Sequence, residues 1–119
     1  MRDFHRLKVW ARAHRLVLNV YRVTRAFPRD EMYGLTSQMR RSASSICANI
    51  AEGCGRDKRP DFARFLDIAM GSASELEYHV LLSADLEFLP HATFGTLNAA
   101  VVEVKRTLAG LLRTLRADG

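Results

Sequence analysis

Apolar side chains recur at intervals of three and four residues along almost the whole chain, and the alternating pattern of a β-strand is almost absent. An α-helix turns once about every 3.6 residues, so this spacing gathers the apolar side chains on one helical face. The pattern favours four helices, with boundaries at about Lys8 to Ala26, Tyr33 to Glu52, Pro60 to Leu89 and Thr93 to Arg116.

Prolines and glycines mark the predicted ends of these helices. Pro28 and Pro90 follow the first and third helices, because a proline ring interrupts helical hydrogen bonding. Gly53 and Gly55 are expected to end the second helix, since glycine readily adopts the left-handed conformation of a helix C-terminus. The short connections favour an all-α fold, a single antiparallel up-down-up-down four-helix bundle over residues 1–119.

Each predicted helix contributes one apolar stripe to the core of the bundle. The predicted core residues are Trp10, Ala13, Val17, Val20 and Phe27; Leu35, Met39, Ala43, Ile46 and Ile50; Phe62, Leu66, Ala69, Ala73, Leu76, Val80 and Ala84; and Phe94, Leu97, Val101, Val104, Leu108, Leu111 and Leu115. A chain of 119 residues can form such a core without disulfides. On one helix, Cys47 and Cys54 would lie about 10.5 Å apart, too far for a bridge.

Charge is distributed unevenly along the chain, which carries a formal net charge of +5. Residues 1–60 hold 13 Lys and Arg against five Asp and Glu, whereas residues 61–119 hold five against eight. This asymmetry indicates a polyanionic partner, RNA or DNA above all. No apolar run reaches the roughly 18 residues of a membrane span, so we expect a cytoplasmic protein. We expect no membrane partner either, because the basic first helix should lack exposed bulky apolar residues beside its charges.

Two basic features are candidates for contact with nucleic-acid phosphates. One is the outward face of the first helix, where acidic residues are nearly absent, and the other is the loop that leads into the third helix. The candidate residues are Lys8, Arg12, Arg15, Arg22, Arg29, Arg56, Lys58 and Arg59. Such side chains would neutralise phosphates without reading bases. The alternative interpretations are a solvated helix face and an ordinary turn.

The outward face of the second helix is rich in Ser and Asn, which are unfavourable inside helices. Small polar side chains let another helix approach closely, so we predict a polar network between helices or between subunits. Within it, Arg41 would bond to Glu52, or to Glu75 and Glu77. The network residues are Arg40, Arg41, Asn49, Glu52, Glu75 and Glu77. A solvent-facing polar stripe is the alternative.

The third helix carries a second apolar stripe, roughly opposite its core stripe. The stripe residues are Ile68, Tyr78, Leu82, Leu86 and Leu89. A long apolar stripe seldom stays bare on a soluble monomer, so we predict that another copy of the chain covers it in a homo-oligomer. The alternative cover is the N-terminal arm with Phe4 and Leu7.

No catalytic, metal or cofactor site is predicted. His5, His14, His79 and His91 are scattered along the chain. Glu75 with His79 is one isolated pair rather than the repeated Glu-x-x-His motif of di-iron bundles. We therefore expect neither an enzymatic activity nor a bound cofactor.

Sequence blocks along nearly the whole chain resemble those of a known family. The blocks are Leu7-Lys8-Val9-Trp10 with Ala13, Phe27-Pro28, Glu31, Tyr33-Gly34-Leu35-Thr36-Ser37-Gln38, Arg40-Arg41, Ser45-Ile46, Asn49-Ile50-Ala51-Glu52-Gly53, Gly55-Arg56, Phe65-Leu66, Ala69, Gly71-Ser72 and Glu75-Leu76-Glu77. Together they resemble the bacterial four-helix-bundle proteins named for the intervening sequences of 23S rRNA genes, some of which are labelled ribosomal proteins. The chain is also similar to the accessory protein of diversity-generating retroelements.

This resemblance implies a ring-shaped homopentamer with a suspected role in binding nucleic acid and no established catalytic residue. It places Arg40, Arg41, Asn49, Glu52, Arg56 and Glu75 at the family's characteristic polar positions. The chain departs from the family at Cys47, where members often have Pro, and near Lys58, where they have a Ser or Thr cap. We expect a self-assembling bundle that presents an Arg-rich surface to RNA or DNA. The alternative is an oligomeric adaptor or scaffold that docks another protein.

Overall fold

The computed structural model describes residues 2–117, which form four α-helices. The helices are α1 (Lys8–Thr24), α2 (Leu35–Cys54), α3 (Arg59–Asp85) and α4 (His91–Ala117). Short 3-10 helices, Phe4–Arg6 and Arg29–Glu31, precede α1 and α2. Residues 2–117 contain no β-strand, and none of their helices has the length and apolar character needed to cross a membrane.

The four helices pack around one core in a bundle measuring 45 × 22 × 20 Å. α1 and α3 each contact both α2 and α4, whereas α1 and α3 share no close backbone contact. α1 and α3 therefore occupy opposite corners of the bundle. The prediction of an all-α four-helix bundle is confirmed.

The core follows the predicted stripes with small rotations. All five predicted α2 residues are buried. On α1, Leu16 is buried, whereas Trp10 and Val17 are only partly buried. On α4, Leu112 takes the core position predicted for Leu111. An α-helix has about 3.6 residues per turn rather than 3.5, so an apolar stripe with a seven-residue repeat drifts by about 20° every seven residues. Over several turns this drift shifts the buried position to the next residue along the chain.

Glycine has a different role at the end of α2 from the one predicted. α2 continues through Gly53 and ends at Cys54, so Gly55 directly follows the helix as predicted, but no glycine among residues 2–117 adopts the left-handed conformation. A Cβ atom built on Gly53 would lie 3.0 Å from both Phe62 Cδ1 and Phe65 Cβ. Gly53 is therefore the residue that lets α2 approach α3 closely.

The end of α3 corrects one predicted position on the outer stripe. The helix ends at Asp85, four residues earlier than predicted, and Glu87 adopts a left-handed conformation with φ 64°. The amide of Phe88 then donates to the carbonyl of Ser83 across 2.9 Å, which closes the helix. This turn redirects Leu89 into the core of its own chain, so its predicted place on the outer stripe is wrong.

The bundle has two chemically different ends. At the end we call the basic end, the amide of Arg2 donates to the carbonyl of Cys54 across 2.9 Å, and its guanidinium lies 4.1 Å from the centre of the Phe62 ring. At the opposite end, the turn end, residues 25–34 connect α1 to α2 and residues 86–90 connect α3 to α4. There the ring centres of Phe27 and Phe88 lie 5.5 Å apart.

Candidate nucleic-acid interface

The basic end gathers side chains from three separate stretches of the sequence. Arg2 donates from Nη1 to the carbonyl of Arg56 across 3.2 Å, and Arg116 of α4 forms an ion pair with Asp67 of α3. The basic side chains of residues 2–8, 52–67 and 113–116 are Arg2, Arg6, Lys8, Arg56, Lys58, Arg59, Arg64, Arg113 and Arg116, and the acidic ones are Asp3, Glu52, Asp57, Asp61 and Asp67. Nine basic against five acidic side chains give this end a charge of +4, whereas the whole chain has a net charge of +5.

The structure divides the eight predicted phosphate-binding residues into groups. Lys8, Arg56, Lys58 and Arg59 lie at the basic end; Arg12 and Arg15 lie one and two turns further along α1; and Arg22 and Arg29 lie towards the turn end. Lys8 and Arg22 are about 21 Å apart along the axis of α1. The eight side chains therefore do not form one cluster, and half of them meet at the basic end.

Arg12 and Arg56 form ion pairs, Arg22 donates from Nη1 to Asn19 Oδ1 at 2.7 Å, and Arg59 also interacts within the chain. Arg12 donates from Nη1 to Glu103 Oε1 at 3.1 Å and to Thr107 Oγ1 at 3.0 Å, both on α4. Arg56 donates from Nη2 to Glu52 Oε1 at 2.8 Å. These ion pairs are largely solvent-exposed, and such pairs contribute only about 0–1 kcal/mol. A phosphate group can therefore compete for either guanidinium.

Four other predicted residues have no such partner. Lys8, Arg15, Arg29 and Lys58 are exposed, and their side chains make no hydrogen bond or ion pair with other residues in the range 2–117. Three of these charges lie at the basic end or on the first two turns of α1, and Arg29 lies at the turn end. They are available to a polyanion without loss of an intramolecular contact.

A polar network joins α2 to α3, as predicted. Arg41 Nη2 donates to Glu75 Oε2 at 2.6 Å, one of the three carboxylates predicted as its partners. Further along the same contact, the hydroxyls of Ser45 and Ser72 are 2.8 Å apart, and Asn49 donates to Ser45 Oγ at 3.0 Å. The small side chains of α2 thus serve close packing within one chain.

The other predicted network residues bond elsewhere. Glu52 pairs with Arg56, and Glu77 accepts from Lys105 of α4 at 2.7 Å, so the predicted bonds from Arg41 to these two carboxylates are wrong. Arg40 donates from Nε to Thr24 Oγ1 of α1 at 2.9 Å. Four of the six residues, Arg40, Arg41, Glu75 and Glu77, join three different pairs of helices, whereas Glu52 and Asn49 bond locally to Arg56 and Ser45.

His79 lies inside the contact between α2 and α3. Its Nδ1 is 3.5 Å from Ser42 Oγ, and its Nε2 is 3.8 Å from Glu75 Oε2. Burial lowers the pKa of His79, the Glu75 carboxylate raises it, and the Arg41 guanidinium lowers it further. Burial dominates, so the neutral imidazole is the favoured form in the folded protein.

The two cysteines are free thiols with low reactivity. Burial raises the pKa of Cys47 to about 12 and also raises the pKa of Cys54. Only the thiolate is a good nucleophile or metal ligand, so neither side chain is activated. The described part of the chain contains no group of three or more His, Cys, Asp or Glu side chains that could hold a metal ion.

The second apolar stripe on α3 is partly as predicted. Ile68, Tyr78 and Leu86 are 42%, 58% and 48% exposed. Leu82 instead packs partly against the core, and Leu81, which was not predicted, is 47% exposed. Successive residues of an α-helix are rotated by about 100° about its axis. Leu81 therefore faces outward, whereas Leu82 turns towards the core.

The N-terminal arm does not cover this stripe. Its 3-10 helix contacts α1 and α2, and the ring of Phe4 lies 4.9 Å from that of Trp10. The alternative in which Phe4 and Leu7 fold over the outer stripe of α3 is therefore wrong. Tyr78 and Leu81 remain exposed in the single chain.

The α1 side of the molecule is less polar than predicted. Leu18 and Tyr21 are 50% and 41% exposed on α1, and Met32 and Tyr33 are exposed in the connection to α2. The expectation that no bulky apolar residue is exposed beside the basic charges of α1 is therefore wrong. The sequence carries a signal for this second apolar face, since Leu18 and Tyr21 are three residues apart among arginines.

The fold and the charge distribution define a four-helix bundle with a strongly basic end. The chain belongs to the family described as 23S rRNA-intervening sequence protein, whose sequence model matches residues 5–110. A crystal structure of a protein of unknown function from the S23 ribosomal protein family of Bacteroides thetaiotaomicron is similar to it, with a TM-score of 0.80 and 24% sequence identity. The similarity covers 88% of this chain and 98% of that one and supports the fold alone. A comparison with curated proteins finds no match.

Proposed function

We propose that this protein is a non-enzymatic, self-assembling four-helix bundle that binds RNA or DNA through its basic end without reading base sequence. The observation that carries the proposal is the concentration of nine basic against five acidic side chains at that end. Phosphates bind such surfaces through release of counterions, and the Arg guanidinium matches their geometry.

The proposed architecture is an antiparallel bundle. Contacts between α2 and α3 support it, because residue numbers rise along one helix as they fall along the other. Arg41 bonds to Glu75, and Ser45 bonds to Ser72. Between α1 and α4 the pairing of Arg12 with Glu103 fits the same order.

The proposed assembly is a homopentameric ring. The exposed Tyr78 and Leu81 support self-association, and the family resemblance supports five copies. If the symmetry axis of the ring is parallel to the long axis of each bundle, the basic ends of all copies lie on the same face of the ring. Contacts that are weak in one copy would then act together on one polyanion.

The proposal also includes a cytoplasmic location and no catalytic step. Ser42 with His79, the one Ser–His pair among residues 2–117, supports the second point. Ser42 is completely buried, and its Oγ also donates to the carbonyl of Met39 at 3.2 Å, so it cannot reach a substrate. The high pKa of Cys47, about 12, supports it too.

Fluorescence anisotropy of a labelled structured RNA and a duplex DNA tests the nucleic-acid proposal. We expect affinity to fall by at least tenfold between about 50 mM and about 200 mM salt. The double variant Lys8→Gln/Lys58→Gln should lower the slope of log K against log salt by about 2, roughly 1 for each lost phosphate contact.

The matched control is Arg106→Gln, which removes an exposed charge from α4 away from the basic end. It should bind as the unchanged protein does. Affinity that is independent of salt, or equal losses in the control and in each single Lys variant, would refute binding through the basic end. Absence of binding to both polymers would leave the adaptor alternative.

A further inference from the structure

The exposed large apolar side chains of the described residues form two sets on different helices. On the α1 side they are Leu18, Tyr21, Met32 and Tyr33, and on α3 they are Ile68, Tyr78, Leu81 and Leu86. We call the first set the α1 patch. Tyr78, Leu81 and Leu86 form the α3 patch, while Ile68 lies nearer the basic end.

The two patches are on different faces of the molecule. α1 and α3 occupy opposite corners of the bundle and share no close backbone contact, so their outward faces lie on different sides of it. A molecule with two different adhesive faces on different sides associates head to tail rather than through one two-fold interface.

The two patches also lie at the same height along the bundle. Leu18 and Tyr21 lie about 9 and 4.5 Å before the end of α1, and Tyr78 and Leu81 about 10.5 and 6 Å before the end of α3. The two helix ends are level, because the rings of Phe27 and Phe88 just beyond them are 5.5 Å apart. Copies arranged around an axis parallel to the bundle would therefore bring the patches into register.

The charges beside the two patches are complementary. Around the α1 patch, Arg22, Arg25 and Arg29 outnumber Asp30 and Glu31, whereas the acidic Asp85 and Glu87 flank the α3 patch. Arg25, Arg29, Asp85 and Glu87 are exposed, and none of these four makes an ion pair within residues 2–117. The α3 patch against its own copy would bring like charges together, whereas α3 against α1 pairs an acidic surface with one of net positive charge.

We propose that the α3 patch of one copy binds the α1 patch of the next copy in a heterologous contact. The inference rests on the self-assembly in the proposed function and adds which two surfaces meet. Apolar side chains form the centre of this contact, and Arg25 and Arg29 face Asp85 and Glu87 at its rim. Repetition of the contact gives a ring where the rotation between copies closes.

Mixing two assembly-defective variants tests the heterologous contact. Leu18→Glu removes the α1 patch, and Leu81→Glu removes the α3 patch; both residues are exposed, so we expect native helical content by circular dichroism. By light scattering each variant alone should be a monomer. An equimolar mixture should form a 1:1 dimer, because the intact α3 patch of the first variant binds the intact α1 patch of the second.

Ile68→Glu is the matched control, since it makes the same change at an exposed residue of α3 outside the α3 patch. It should assemble as the unchanged protein does. Normal assembly by Leu18→Glu, a mixture that stays monomeric, or equal disruption by Ile68→Glu would each overturn the proposal. An unchanged protein that is a monomer would instead refute the self-assembly on which it rests, and nucleic-acid binding is measured separately.

Discussion

The contact between α2 and α3 differs from the contact between α1 and α4 in the side chains that fill it. Between α2 and α3, Gly53 meets Phe62 and Phe65, and the hydroxyls of Ser45 and Ser72 are 2.8 Å apart. Between α1 and α4, open grooves run along the surface. One is lined by Arg12, Arg15, Leu16, Asn19, Ala100 and Glu103, and another by Asn19, Val23, Ala92, Thr93, Thr96 and Leu97.

Side-chain size accounts for this difference. Glycine, alanine and serine bring two backbones close together and leave little room for change, whereas long side chains hold helices apart and leave space along the rim. The α2–α3 contact is therefore expected to be the rigid half of the bundle. Four pairs of substitutions test this comparison, each measured by guanidinium unfolding at one protomer concentration, because assembly also changes apparent stability.

Enlarging an alanine should give the largest difference between the two contacts. Ala73 of α3 is completely buried, so Ala73→Leu should lower the free energy of unfolding by about 1–3 kcal/mol through overpacking. The leucine side chain of Ala100→Leu would extend into the groove beside Leu16, so this substitution should change the free energy of unfolding by about 0.5 kcal/mol or less. Equal losses in the two variants would contradict the comparison.

Glycine-to-alanine substitutions should have opposite signs at two positions. Gly53→Ala should destabilise by about 1 kcal/mol or more, because its Cβ would lie 3.0 Å from Phe62 Cδ1. A Cβ at Gly95 of α4 meets nothing within 4 Å, so Gly95→Ala should stabilise by about 0.5–1 kcal/mol through helix propensity. Stabilisation at both positions would show that α2 and α3 can move apart without a loss of stability, which would contradict the comparison.

Loss of a hydroxyl should distinguish the two contacts by a smaller amount. Ser45→Ala removes the bonds with Ser72 and Asn49 and should destabilise by about 0.5 kcal/mol, after the better helix propensity of alanine is included. Thr107→Ala removes an acceptor for Arg12 in a solvent-accessible contact and should be close to neutral. A larger loss at Thr107 would reverse the ranking.

The smallest expected effect is a pH dependence at the α2–α3 contact. The folded pKa of His79 is lowered, chiefly by burial, so the unfolded chain takes up the proton first. The stability that neutral His79 confers is complete above about pH 6.5 and decreases as pH falls from there through the lowered folded value. His79→Gln should remove this decrease, whereas the control His91→Gln at the exposed start of α4 should retain it.

The sequence predicted the helices and most of the core but fewer of the surface contacts. Helical periodicity is a local property, so Met39, Ile46 and Ile50 could be assigned to the core of α2 without knowledge of the other helices. The Arg41–Glu75 pair was also accessible, because both residues lie on polar faces of helices joined by a short loop.

The partners of the candidate site residues were not accessible in the same way. Arg12 bonds to Glu103, 91 positions away, and no pattern within α1 indicates a neighbour on α4. The role of Gly53 was misjudged for a related reason, since close approach of another helix leaves no mark on the local sequence. The eight predicted phosphate-binding residues likewise lie in three separate places, at the basic end, along α1 and towards the turn end.

The sequence by itself determined that this protein is helical, where the four helices lie and which side of each faces a core, because those properties depend on spacing along one chain. Only the tertiary structure decided which helices are neighbours. It thereby concentrated a net charge of +4 at one end and set two exposed apolar patches on different sides at one height, since distances across a bundle depend on packing and not on position in the sequence.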